Sequence, residues 1–109
     1  MKSIKLIKHF DLAETIFGKD KEVNEVFNGP FRKLVEVRLQ NGATLPKHKA
    51  NEPITVFCLS GNGLFTAGAD LEESYNLRPG TMITLEGGVE HEVVADPSLH
   101  LIVTKFKNI

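Results

Sequence analysis

Two stretches decide how this chain is read: Gly42-Ala-Thr-Leu-Pro-Lys-His48-Lys-Ala50-Asn-Glu52-Pro-Ile54-Thr-Val-Phe-Cys58-Leu-Ser-Gly61, and after it Gly80-Thr-Met-Ile-Thr-Leu-Glu86-Gly-Gly88-Val-Glu-His91. Each opens on a glycine and carries a single histidine among short apolar runs. In the first, Ile54, Val56 and Cys58 alternate with Thr55, Phe57 and Leu59, which is the period of a strand whose side chains point to opposite faces.

Outward from these blocks the same rhythm continues. Turn residues recur at Asn28-Gly29-Pro30, Asn41-Gly42, Glu52-Pro53, Gly61-Asn62-Gly63, Gly68 to Asp70, Arg78-Pro79-Gly80, Gly87-Gly88 and Asp96-Pro97-Ser98. Between them strands are predicted near 22–27, 31–40, 43–49, 54–59, 63–67, 71–77, 81–86, 90–95 and 99–106, the spacing of a sandwich or barrel. Ser60-Gly61-Asn62-Gly63 reads as a hairpin turn. Only Asp11 to Gly18 carries helix punctuation: Asp11 can cap, Glu14 completes a capping box and Gly18 can end the turn.

Composition narrows the function classes. At 109 residues the chain is one domain long, and 41% apolar residues are enough for a core without disulfides. Thirteen basic and fourteen acidic residues are interspersed, so no basic stripe marks a nucleic-acid surface. Lysines break the apolar residues of the N-terminus, so neither a signal-peptide core nor a membrane span is read there, and a cytoplasmic location is expected. The lone cysteine, Cys58, has no internal partner.

The two blocks resemble the paired motifs of the cupin family. Gly42, His48 and Gly61 match the first motif, and Gly80, Gly88 and His91 match the second at the family's spacing. The likeness runs from about Leu34 to Phe106. It implies an all-β chain folded as a single cupin-type jelly-roll β-barrel, commonly a homodimer, with its ligand site in the lumen. Residues 1–30 are then an N-terminal extension of a strand and a short helical turn packing on the barrel, and 31–109 the barrel itself. The departures bear on chemistry. The family's second histidine is Ala50 here, its glutamate Ile54 or Thr55, its proline Glu86 and its asparagine Ala95. Two imidazoles alone leave most of a divalent ion's coordination to water, whereas stable zinc or iron sites supply at least three side chains. The expected cofactor is therefore none, or a weakly bound divalent metal on His48 and His91.

Both histidines replace lumen-facing positions, so they are expected to point inward together. Glu52 is the carboxylate able to act as a third metal ligand, although Pro53 argues for an exposed turn there. Ile54, Val56 and Cys58 are expected to line the lumen, with Cys58 a buried, inert thiol. Phe57 and Leu59 point the other way, toward a second sheet or a dimer contact. From Leu34 onward, Val35, Val37 and Leu39 alternate with Glu36, Arg38 and Gln40. One set faces the core; the polar set either faces solvent or, at the barrel mouth, makes Arg38 an anchor for an anionic ligand. His100 and His9 have no partner at motif spacing and no role is assigned to them.

Three functions compete. The first is a protein that binds a small organic molecule in an apolar lumen, with His48 and His91 as polar anchors. The second is a metalloenzyme, a dioxygenase or isomerase, with a reduced histidine-based shell. The third is a metal-independent isomerase or epimerase using a lumen histidine as general base.

Overall fold

The computed structural model describes residues 3–12 and 18–107 and contains seven strands and, among those residues, no helix. They are β1 (Lys21–Asn28), β2 (Arg32–Leu39), β3 (Thr44–His48), β4 (Ile54–Ala67), β5 (Glu73–Leu77), β6 (Met82–Leu85) and β7 (His91–Phe106). The helical turn predicted over Asp11 to Gly18 falls on residues 13–17, which lie outside the described residues.

All pairing is antiparallel, and two long strands organise it. The second half of β7 lies between β2 and the first half of β4, with β1 beyond β2 and β6 beyond β4. The first half of β7 lies between β3 and the second half of β4, with β5 beyond β4. β4 and β7 thus bend and run through two layers. One apolar cluster fills the space between the layers: Val35, Val37, Leu39, Val56, Cys58, Leu99 and Leu101 meet Phe65, Leu77, Val93 and Ala95. The hydrogen-bonded ladder is open from β1 to β5, so the expected barrel is not closed by a continuous ring of paired strands.

Strand boundaries agree with the sequence reading to within two residues, except at two predicted turns that are not turns. The expected hairpin at Ser60-Gly61-Asn62-Gly63 is instead a bulged bend inside β4, with register shifts between Cys58 and Ser60 and between Gly61 and Gly63. Gly61 has φ +86°, and a Cβ built on it would lie 2.1 Å from Ser98 O. Glycine is therefore required by the close approach of β7 and by a bulge conformation, not by a chain reversal. Opposite it, Asp96-Pro97-Ser98 is likewise passed by β7 without a break. Proline is tolerated there because the β4–β7 register is interrupted between Gly61↔Leu99 and Gly63↔Ala95, where no ladder N–H is needed. Arg78-Pro79-Gly80 is a true turn: Thr81 N donates to Arg78 O at 3.0 Å, with Gly80 at φ +93°.

Residues 1–30 contribute β1 to the sheet, at an edge beside β2. Further upstream, Lys8 Nζ lies 3.0 Å from Glu36 Oε1, and the ring of Phe10 meets that of His100 edge-on at 6.0 Å. That segment covers the face of β2 turned away from the core.

Candidate functional site

A cavity of about 140 Å³ lies between the two layers. Strand alternation builds its walls: Val35 and Val37 from β2, Ile54, Val56 and Phe65 from β4, and Val93, Leu101 and Val103 from β7 all turn to it. These walls are apolar. Polar groups come from His48, His91 and Lys105.

His48 and His91 are register partners across β3 and β7, and their ring centroids are 4.3 Å apart. His91 is buried and stacks nearly parallel on Phe65 at 5.7 Å; His48 is exposed at the rim. Each ring has its Nδ1 against a backbone carbonyl, Pro46 O at 2.7 Å and Val89 O at 3.0 Å. A carbonyl only accepts, so Nδ1 carries the proton and, in the neutral ring, Nε2 is left as the acceptor. Burial holds the His91 imidazole below its ordinary pKa; the Val89 hydrogen bond opposes this and the charges of His48 and Lys105 reinforce it. His91 is therefore a neutral acceptor at pH 7.

The remaining site candidates separate. Ile54 and Val56 line the cavity as expected. So does Ala50, where the resemblance would put a histidine; of the two positions it offers for the glutamate, Ile54 and Thr55, only Ile54 lines the cavity. Cys58 is fully buried and is not among the residues that line the cavity, although its layer partners Val37 and Leu101 are, a correction to its expected place. Burial pushes its thiol up, offset in part by a backbone hydrogen bond from Ser60; the thiol itself donates to Ser60 O at 3.4 Å. Glu52 stands in a neighbouring surface hollow with Asn28, Lys33, Lys105 and Lys107. Among the described residues no group of three or more His, Cys, Asp or Glu is placed to hold a metal ion. His48 and His91 thus have no protein-supplied third ligand there, and the donor set does not fit a tightly held metal.

Arg38 also lies elsewhere. In β2, Val35, Val37 and Leu39 face the core, yet Glu36 and Arg38 on the opposite face are buried as well. Neither expected environment for the polar set, solvent or barrel mouth, holds for them. Arg38 Nε donates to Glu36 Oε2 at 3.2 Å, and His100 Nε2 lies 2.6 Å from the same oxygen. Burial raises the Glu36 carboxyl, but hydrogen bonds from Lys8 and His100 and the charges of Lys8 and Arg38 outweigh it and hold the group below the ordinary carboxylate range. This ionic cluster was not legible in the sequence: Glu36 and His100 are 64 positions apart and meet only through the β2–β7 register.

No family model matches the chain, and no curated protein matches it. Solved structures do. A protein of unknown function from Streptococcus pyogenes superposes with TM-score 0.79 at 19% identity, covering 99% of this chain and 94% of that one. An RmlC-like cupin from Desulfovibrio desulfuricans gives 0.75 at 23% identity over 89% and 93% of the two chains. A cupin domain from Bordetella pertussis gives 0.70 at 18% identity over 86% and 100%. The chain has the cupin fold. No helix among the described residues is long and apolar enough to cross a membrane.

Proposed function

We propose that this cupin-fold chain binds a small organic molecule in its lumen, with apolar walls enclosing the body of the ligand and His48 and His91 anchoring its polar end. The observation that carries the reading is the pairing of an apolar cavity of about 140 Å³ with two imidazoles that line it, His48 exposed at the rim and His91 buried, and apolar side chains, Ala50 and Ile54, among its walls. Apolar cavities with a few convergent polar groups are the usual form of a small-molecule site. The volume sets the size: an apolar cavity of about 150 Å³ takes up a benzene-sized molecule.

In this reading any divalent metal is absent or weakly held, and a homodimer is the expected assembly. The metalloenzyme alternative draws on the same His48–His91 pair with water completing the shell. Elemental analysis of the purified protein separates the two. The proposal expects far less than one zinc, iron, nickel or manganese per chain after dialysis. One ion per chain, retained by the wild type and lost on His48→Ala, would overturn it in favour of the metalloenzyme.

A further inference from the structure

The lumen-facing ladder changes character at one end. Reading outward from the core, its layers are Leu39 with Leu99, then Val37 with Leu101 and Cys58, then Val35 with Val103 and Val56, and last Lys33 with Lys105 and Ile54. Three apolar layers are thus followed by one carrying two lysines. Lys105 lines the apolar cavity and also the adjoining hollow that holds Lys33, Lys107 and Glu52. Lys107 Nζ is hydrogen-bonded to Asn28 Oδ1. Among the described residues the side chains of Lys33 and Lys105 make no hydrogen bond or ion pair.

Lys33 and Lys105 are Cα partners in that last layer, and with Lys107 they outnumber the one carboxylate of the hollow, Glu52, so the hollow favours an anion. An interior-facing lysine at the edge of an apolar cavity supplies a strong, charge-assisted donor for such an anion. From the juxtaposition of Lys105 with these apolar walls we infer that the lumen ligand is a small carboxylic acid, its apolar body in the cavity and its carboxylate on the Lys105 ammonium. A monoanion suits the site better than a dianion, because Glu52 shares the hollow and its carboxylate opposes additional negative charge. The inference rests on the lumen-binding reading above and adds the chemical class of the ligand.

Benzoate and benzyl alcohol share a ring that matches the cavity and differ in charge, so they separate the two claims. Both are titrated into methyl-labelled protein at low salt, with phenyl phosphate as a third probe, against wild type, Lys105→Gln and Lys105→Arg. The expected result is benzoate binding about tenfold more tightly than benzyl alcohol, as one charge-assisted hydrogen bond supplies. The preference falls to about twofold in Lys105→Gln, persists in Lys105→Arg and weakens as salt screens the charge. Equal binding of benzoate and benzyl alcohol, or an unchanged preference in Lys105→Gln, would overturn the assignment of Lys105 while leaving lumen binding intact. Tighter binding of phenyl phosphate would overturn the carboxylate class. Failure of all three probes to move the lumen methyls would overturn the lumen-binding reading and this inference with it.

Discussion

His48 and His91 are Cα partners across β3 and β7 with ring centroids 4.3 Å apart, yet one ring is exposed and the other is only 4% exposed. The pair therefore splits into an exposed rim group and a buried one. Replacing His48 with alanine should change stability by less than about 0.5 kcal/mol, as exposed positions do. His91→Ala empties a buried site stacked on Phe65 and should cost about 2–3 kcal/mol. Urea denaturation of the two variants checks the difference.

Glu36 is the common acceptor of Lys8, Arg38 and His100 on the outer face of β2. Its folded-state pKa lies below the unfolded value, so its stabilisation is complete above the unfolded carboxylate pKa of about 4. The contribution is lost as pH falls through the folded value. Glu36→Gln should cost about 3 kcal/mol at pH 7, because a buried ionic cluster loses the carboxylate that Lys8, Arg38 and His100 share. The gap between wild type and variant should narrow as the pH is taken below 4, in chemical denaturation series at fixed ionic strength. A gap independent of pH would contradict the carboxylate's role.

Cys58 is fully buried, and its thiol is pushed up by that burial. Since the thiolate is the reactive form, a thiol reagent such as dithionitrobenzoate should leave the native protein unmodified and label one thiol per chain on unfolding. Rapid labelling of the native state at neutral pH would place the thiol at an accessible site.

Gly61→Ala tests the bend in β4. The added Cβ would meet Ser98 O at 2.1 Å, and φ +86° strains any side chain. A destabilisation of about 3 kcal/mol or more is expected by thermal or chemical denaturation. Gly42→Ala is the control: it shares a positive φ but meets no atom within 4 Å, so its cost should be the smaller.

What the sequence revealed follows which interactions are local. Strand alternation around His48, Ile54 and Val56 is a local property, so their turning toward one cavity was legible, as were the glycine and histidine spacings that resemble the cupin motifs. Gly61 reads as a turn in sequence because a glycine at a bulge and a glycine at a turn look alike until the opposing strand is known; here Ser98 decides between them. The burial of Glu36 and Arg38, and their meeting with His100, is not legible because alternation shows that two faces exist, but not that the chain upstream, through Lys8 and Phe10, covers the second. The place of Lys105 is not legible in sequence for a related reason. Its place at the end of an apolar ladder depends on pairing with Lys33 and Ile54, residues 72 and 51 positions earlier in the chain.

The central claim, an organic ligand in the lumen, is tested most directly by titrating benzyl alcohol into protein labelled at its valine, leucine and isoleucine methyls. The account predicts saturable shifts concentrated at Val35, Val37, Ile54, Val56 and Leu101, with the methyls of exposed Ile4 and Leu6 unmoved. Absence of saturable shifts at the lumen methyls, or shifts of equal size at the exposed ones, would contradict it.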